Sequence, residues 1–199
     1  IMGKTALTID VEENEIIFSK DMDRRMYPAS TTKLVTAILL AKNKKREDTL
    51  TYSEHAKASH PYNLDLEVGA EIHAEYAMDA LLLFSANDIS CMIAENIDIT
   101  IEQFSYHMNH YAKELGLKNS HFVNPSGLHS TKHFSSAYDL SVIARDLYNY
   151  PWIMETLGKK ESIIHINNTI ENNTIKIKNR NKMVMQKGCI GGKTGWTPE

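Results

Sequence analysis

Apolar and polar residues alternate near both ends of the chain, which predicts strands there. A first alternation, in "ALTIDV", places Leu7, Ile9 and Val11 on one face. The turn residues "EEN" and the apolar run "EIIFS" follow it, which predicts a β-hairpin. A second hairpin is predicted from "ESIIHINN" and "NTIKIKN", with the Asn-rich "NNTIENN" at its turn. The pattern "CIGGKTGWT" is typical of a strand whose glycines let another backbone approach closely.

The middle of the chain has helical spacing. An amphipathic helix that starts near Pro28 to Ser30 is predicted in "YPASTTKLVTAILLAKN", residues 27–43. A helix, a break at Ser85 to Asn87 and a second helix are predicted in "EYAMDALLLFSANDISCMIAENI". Thr100 with Gln103 resembles a capping box for a further helix that ends before Gly116.

The last predicted helix begins near Ser135 or Ser136, after the long turn-rich segment "NSHFVNPSGLHSTKHF". The order of strands, helices and strands favours an α/β (α+β) fold. In this fold an antiparallel sheet from both chain ends packs on a helical lobe of about residues 45–150. Since the sequence has no repeat and no linker-like stretch, we interpret 1–199 as a single domain.

Composition excludes several classes of protein. The 199 residues are 42% hydrophobic and 24% charged, as in soluble globular proteins, and the net charge of −3 argues against nucleic acid as a partner. Because no apolar run reaches the length of about 18–20 residues that a bilayer requires, we expect no membrane span. The sequence starts at Ile1 without a basic-then-apolar leader, so we expect any export signal to lie outside it.

The cysteines and histidines give no metal signature. Cys91 and Cys189 match neither a CxxC pair nor a zinc cluster, so free thiols are favoured and a disulfide between them stays open. His107 and His110 fall on adjacent helical turns, but a third ligand at an informative spacing is missing. We therefore expect neither a metal nor another cofactor.

Three short stretches carry candidate chemistry: "STTK" at 30–33, "SAN" at 85–87 and "KTG" at 193–195. Each alone has an ordinary structural explanation, as a helix cap, a turn amide or an exposed strand end. Residues three apart on a helix have Cβ atoms about 5–6 Å apart, which would set the Lys33 amine beside the Ser30 hydroxyl. Together, at the start of a helix, between helices and on a strand, the three stretches indicate a catalytic serine site.

The chemistry of this combination requires an uncharged lysine. A serine hydroxyl is a weak nucleophile until a neighbouring base takes its proton, and a lysine is a base only when its amine is neutral. Burial and a second cation would both lower the pKa of Lys33, and Lys193 would be that cation if its strand crossed the cleft.

In these three motifs the sequence resembles the penicillin-recognising acyl-serine enzymes. It is most similar to the serine D-alanyl-D-alanine carboxypeptidases, the low-molecular-mass penicillin-binding proteins of the peptidase S11 family. The similarity extends beyond the motifs, into "FSYHMNHYAKELGLKNSHFVNPSGL" and "HFSSAYDLSVIARDL". It implies a β-lactamase/transpeptidase-like fold. It also implies an extracytoplasmic enzyme that cleaves the terminal D-alanine from peptidoglycan stem pentapeptides through an acyl-serine intermediate, with β-lactam antibiotics as covalent inhibitors.

The resemblance also implies the catalytic roles. Ser30 would be the nucleophile and Lys33 its base. Ser85 would relay a proton to the departing D-alanine nitrogen, and Asn87 would bind the substrate amide and position Lys33.

The third motif would bind substrate. Lys193 and Thr194 would hold the free carboxylate of the peptide, and Gly195 would let the substrate backbone lie against the strand. The backbone N–H groups of Ser30 and Trp196 would form the oxyanion hole.

The sequence departs from the family pattern at its end. In the family, two more strands follow the third motif and join it to the N-terminal hairpin, whereas this sequence ends at "WTPE". We therefore expect the C-terminal strands to be missing and the sheet to be incomplete, or completed by another chain. The family's β-rich second domain and membrane-associating helix are not in this sequence either.

Three other functions compete with this interpretation. A class A β-lactamase would need a Glu-x-x-Leu-Asn segment, which residues 88–192 lack, so slow turnover of β-lactams is expected. A non-catalytic peptidoglycan-binding module would have no need of a nucleophile with a base. A zinc D,D-peptidase would need clustered metal ligands.

Overall fold

A computed structural model of the protein describes residues 2–59, 61–169 and 173–197. Within these ranges helices dominate the middle of the chain and short strands lie near both ends. The α-helices are α1 (Lys33–Asn43), α2 (Glu54–Lys57), α3 (Ala74–Asp79), α4 (Asn87–Asp98), α5 (Ile101–Glu114), α6 (Ala137–Asp146) and α7 (Pro151–Gly158). The strands are β1 (Ala6–Ile9), β2 (Ile16–Lys20), β3 (Thr49–Thr51), β4 (Glu71–His73), β5 (Glu161–Ile166) and β6 (Asn173–Lys178).

Both predicted hairpins are confirmed. Strands β1 and β2 are antiparallel, as are β5 and β6, which pair along their whole length. Part of the predicted turn between β5 and β6, residues 170–172, lies outside the described residues. A third antiparallel pair, β3 with β4, belongs to the helical middle of the chain.

The prediction of one sheet from both chain ends is wrong for the part of the chain that the structure describes. Its strands form three separate two-stranded sheets, and the segment 190–197 that carries the third motif is not a strand. An apolar groove of about 240 Å³ lies between Ile9 of β1 and Ile190, with Leu157 of α7 on its wall. Because paired strands must lie about 4.8 Å apart, β1 and the segment 190–197 do not pair across this groove.

Helix α1 is the centre of the core. A 3₁₀ turn, Ala29–Thr32, leads directly into it, which confirms the predicted start. Every residue from Thr32 to Leu40 is buried, and the helix packs against α3, α4, α5, α6 and α7. The prediction of an amphipathic helix is therefore wrong over these turns, because a helix surrounded by other helices has no solvent face. Lys33 is enclosed with its apolar neighbours.

The predicted break at Ser85 is confirmed. Helix α3 continues as a π-helical turn, Ala80–Phe84, and Ser85 then adopts the left-handed conformation with φ of 68°. Ala86 is extended, and α4 begins at Asn87. A π turn followed by a left-handed residue other than glycine is a strained arrangement of the kind found at functional sites.

The predicted helix starts are also confirmed. The Thr100 hydroxyl accepts a hydrogen bond from the Gln103 backbone N–H at 3.2 Å, and α5 follows. The Ser136 hydroxyl accepts from the Asp139 N–H at 3.1 Å and caps α6. These caps satisfy N–H groups that the first helical turn leaves without intrahelical partners.

Gly127, between α5 and α6, packs directly on the turn before α1, and we expect Gly127→Ala to be severely destabilising. A Cβ at this position, where φ is +84°, would lie 1.8 Å from the Ala29 carbonyl oxygen. The variant should lose about 3 kcal/mol or more of unfolding free energy, measured by urea denaturation. Gly116→Ala is the matched control, because its φ is +72° and nothing lies within 4 Å, so it should lose only about 1 kcal/mol. Equal losses in both variants would contradict the tight contact.

Candidate active site

The structure brings Ser30, Lys33 and Asn87 together. The Lys33 amine, which is fully buried, lies 3.2 Å from the Ser30 hydroxyl oxygen across one helical turn. It donates hydrogen bonds to the Asn87 side-chain oxygen at 2.6 Å and to the Ser126 carbonyl oxygen at 2.7 Å. Three segments of the chain therefore meet at one nitrogen.

The partners of Lys33 determine where its lone pair points. The Asn87 side-chain oxygen and the Ser126 carbonyl oxygen can only accept, so they take both N–H groups of a neutral amine. In the neutral amine the lone pair would then be left for the Ser30 hydroxyl, whose oxygen lies 3.2 Å away. The Asn87 amide is held in this orientation because its Nδ2 donates to the Pro61 carbonyl at 2.5 Å.

Burial and charge both favour the neutral amine. Burial is the larger cause and the positive charge of Lys193 the next, and together they hold the pKa of Lys33 well below 10.5. Both causes are those expected from the sequence. The negative charge of Asp88 opposes them without reversing the direction.

Ser85 and Lys193 form a second pair. The Lys193 amine donates to the Ser85 hydroxyl at 2.9 Å and to the Thr194 carbonyl at 2.7 Å. Burial lowers the pKa of Lys193 to about 8, with a smaller contribution from the Arg180 guanidinium. At neutral pH Lys193 is therefore mostly an ammonium group, which can attract an anion and repel a proton from Lys33.

The segment that carries the third motif reaches the nucleophile although it is not a strand. A Cβ on Gly195 would lie 3.1 Å from the Pro28 carbonyl oxygen and 3.3 Å from the Ser30 nitrogen. Trp196 is 76% exposed and lines a cavity of about 210 Å³ together with Ser30 and Asn87. Thr194 is also exposed.

Sequence reasoning missed the loop that supplies the third partner of Lys33. The Asn124 side-chain oxygen accepts hydrogen bonds from the N–H groups of Ser126 at 3.2 Å, Gly127 at 2.8 Å and Leu128 at 3.2 Å. The letters "NPSG" are a turn signal that indicates such a loop. They do not indicate that the Ser126 carbonyl binds a catalytic amine, because every residue has a carbonyl group.

Arg180 was missed as well. Its guanidinium lies between the rings of Tyr62 and Phe84, 4.5 Å and 4.6 Å from their centroids. It thereby connects Tyr62, which lines the cavity beside Ser30, with Phe84, the residue before Ser85. An arginine between two hydrophobic segments has no distinctive spacing in the sequence.

The histidines and cysteines considered in the sequence form neither a metal site nor a disulfide among the described residues. His107 pairs with Asp98 at 2.7 Å and His110 with Glu114 at 3.3 Å. Among the described residues, no three His, Cys, Asp or Glu side chains are grouped to hold a metal ion. Cys91 and Cys189 are free thiols, so the disulfide left open by the sequence is not formed. No helix in the described ranges has both the length and the apolar character to cross a bilayer.

The chain is similar to known proteins along almost its whole length. Residues 1–199 match the peptidase S11 family, described as D-alanyl-D-alanine carboxypeptidase. D-alanyl-D-alanine carboxypeptidase DacF of Bacillus subtilis is 35% identical over 203 residues, which cover 99% of this chain and 51% of the relative. The solved penicillin binding protein 5 from Haemophilus influenzae is 26% identical, with a TM-score of 0.88 over 99% of this chain and 58% of that chain.

A third comparison concerns the fold alone. The D-alanyl-D-alanine carboxypeptidase DacD from Francisella tularensis has a TM-score of 0.91 at 24% identity, over 100% of this chain and 60% of that chain. The mixed α/β, penicillin-binding type of fold is thereby confirmed. The chain spans about half the length of curated relatives such as DacF. With the family match over its whole length, the chain belongs to the D-alanyl-D-alanine carboxypeptidase family, peptidase S11.

Proposed function

We propose that residues 1–199 form a single penicillin-binding/transpeptidase-like domain of a serine D,D-carboxypeptidase. Its substrate is the peptidoglycan stem pentapeptide, from which it removes the terminal D-alanine. The observation that carries this proposal is the buried Lys33 amine, which lies 3.2 Å from the Ser30 hydroxyl oxygen and donates to two acceptors, the Asn87 side-chain oxygen and the Ser126 carbonyl oxygen. Membership of the family and the 35% identity to a curated carboxypeptidase support it.

The first step is attack by Ser30. Its hydroxyl oxygen bonds to the carbonyl carbon of the penultimate D-alanine while its proton passes to the neutral Lys33 amine. The developing oxyanion accepts hydrogen bonds from the N–H groups of Ser30 and Trp196. The closeness of Gly195 to the Ser30 nitrogen supports this pair of donors, because it brings the two backbone segments together.

The second step releases D-alanine. The carbon–nitrogen bond of the tetrahedral intermediate breaks, and the proton on Lys33 is passed through the Ser85 hydroxyl to the leaving nitrogen. Lys193 and Thr194 bind the carboxylate of the departing residue, and Gly195 leaves room for the substrate backbone. One N–H of Asn87 donates to Pro61, which leaves the other for the substrate amide. Water then hydrolyses the acyl-serine ester.

The same site accounts for covalent inhibition by β-lactams. The lactam carbonyl takes the place of the peptide carbonyl, and its amine stays tethered after ring opening, so the leaving group cannot diffuse away. Residues 88–192 lack the Glu-x-x-Leu-Asn segment that would activate a deacylating water, which favours a long-lived adduct. Because peptidoglycan lies outside the cytoplasm, the proposal includes an extracytoplasmic location.

We expect penicillin to form one covalent adduct, on Ser30. Incubation with benzylpenicillin should add the mass of one antibiotic molecule, and peptide mapping should place it at Ser30. Ser30→Ala should abolish the adduct, and Lys33→Ala should slow its formation by a factor of about 10² or more, because the base is lost. The matched control is Ser19→Ala, which removes an exposed serine of β2 and should change nothing. An adduct that survives Ser30→Ala would overturn the proposal.

Replacing Lys193 should separate its two roles. In Lys193→Met the loss of a positive charge raises the pKa of Lys33, so the pH at half-maximal acylation should move upward. This shift should occur with penicillin and also with a thioester acyl donor that has no carboxylate. Binding should weaken only for penicillin. Thr194→Val is the control, since it removes a carboxylate ligand without changing charge and should leave the pH midpoint in place. An unmoved midpoint in Lys193→Met would contradict the electrostatic role.

A further inference from the structure

His133 is a buried titratable group that the proposed mechanism does not use. It is 2% exposed, lies on the wall of the cleft, and packs edge-on against the Phe122 ring with 5.6 Å between centroids. Its ring nitrogens have two partners. Nε2 lies 2.8 Å from the Thr32 hydroxyl oxygen, and Nδ1 lies 3.2 Å from the Val123 backbone nitrogen.

These partners fix the tautomer of the imidazole. The Val123 N–H can only donate, so Nδ1 is the unprotonated acceptor. Nε2 then carries the proton and donates it to the Thr32 hydroxyl oxygen. Thr32 is fully buried and lies between Ser30 and Lys33 in the sequence, whereas Val123 leads into the loop 124–128. The neutral ring therefore connects the helix of the nucleophile with the loop of Ser126.

The connection matters because of what that loop supplies. The Asn124 side chain stabilises the loop internally, because its oxygen accepts hydrogen bonds from the N–H groups of residues 126–128. Besides the Lys33–Ser126 hydrogen bond itself, the contacts that attach the loop to the helix and the turn before it include His133, the Thr36 hydroxyl, which donates to the Pro125 carbonyl at 2.7 Å, and the packing of Gly127 on Ala29. These three contacts help to fix the position of the Ser126 carbonyl relative to Lys33.

We propose that His133 is a positioning residue, which holds the Ser126 carbonyl against Lys33 by hydrogen-bonding Thr32 and Val123 at once. The inference rests on the proposed function and adds to it a residue that acts through Thr32 and Val123 rather than on the reacting atoms. Loosening this contact admits water to the Lys33 amine and frees one of its N–H groups, so the lone pair no longer points only at Ser30.

The electrostatic surroundings keep the ring in the required form. Burial is the main cause that lowers the pKa of His133 to about 4, and the nearby His121 contributes in the same direction. Since the unfolded value is about 6.5, the folded state resists protonation and its stability falls as the pH drops from about 6.5 to 4. At neutral pH the ring is neutral and Nδ1 is available to Val123.

The experiment deletes the same hydrogen bond from either side. In His133→Asn the asparagine Oδ1 can accept from the Val123 N–H in place of Nδ1, but the shorter side chain cannot reach Thr32. Thr32→Val removes the hydroxyl that accepts from His133, and so deletes the same hydrogen bond from the other side. Both variants should slow the acylation of Ser30 by penicillin about tenfold and raise the pH of half-maximal acylation. His133→Gln, whose amide nitrogen can donate to Thr32, should be within about threefold of the unchanged protein.

Two further measurements make the outcome decisive. Phe122→Leu should lower the melting temperature without changing acylation, because it removes a ring contact but neither hydrogen bond. The pKa of Lys33, measured by ¹³C NMR of labelled lysine, should rise in His133→Asn whether or not penicillin reacts. If the unchanged protein forms no adduct, the proposed function fails while this titration still tests His133. Variants that lose stability but keep both the acylation midpoint and the pKa of Lys33 would overturn the positioning role.

Discussion

A primary amine enclosed at the start of the central helix requires partners on all its polar sides, because an unpaired buried polar group is costly. In this protein those partners come from three distant parts of the chain: the Ser30 hydroxyl, the Asn87 side chain and the Ser126 carbonyl. Burial also disfavours the ammonium form and lowers the pKa of Lys33, so the same enclosure that requires the hydrogen bonds favours the neutral base. The burial of Lys33 therefore constrains both the packing of the core and the chemistry of the site.

Three segments of the chain must reach Lys33, and this requirement explains local features that by themselves lower the stability of the fold. The π-helical turn and the left-handed Ser85 end one helix and start the next, so that Asn87 faces Lys33 while Ser85 faces Lys193. The Asn124 side chain organises the loop that presents the Ser126 carbonyl. Strain and buried polar groups at these positions are typical of sites where stability is exchanged for function.

The sequence predicts those parts of the fold that depend on local pattern and residue type. Hairpins, caps at Thr100 and Ser136, and the break at Ser85 follow from turn chemistry, which acts over a few residues. Ser30, Lys33 and Lys193 are recognisable because nucleophile, base and cation need particular side chains. The enclosure of the first helix on all sides was not predictable, since burial depends on which other helices surround it.

Contacts made through backbone atoms could not be predicted from the sequence either. The Ser126 carbonyl, and the close approach of Gly127 to Ala29, arise from tertiary geometry rather than from residue identity. The single sheet from both chain ends was wrongly predicted because strand pattern gives no information on spacing. In the described ranges an apolar groove separates β1 from residues 190–192.

The central claim is that the Lys33 amine is neutral and accepts the Ser30 hydroxyl proton in the resting site. Neutron diffraction from crystals of the deuterated protein at pH 7 tests this most directly, because it locates hydrogen isotopes. The account predicts two deuterons on the Lys33 nitrogen, directed at Asn87 and Ser126, and the Ser30 deuteron directed at that nitrogen. Three deuterons on the Lys33 nitrogen, with the Ser30 hydroxyl turned away, would contradict it.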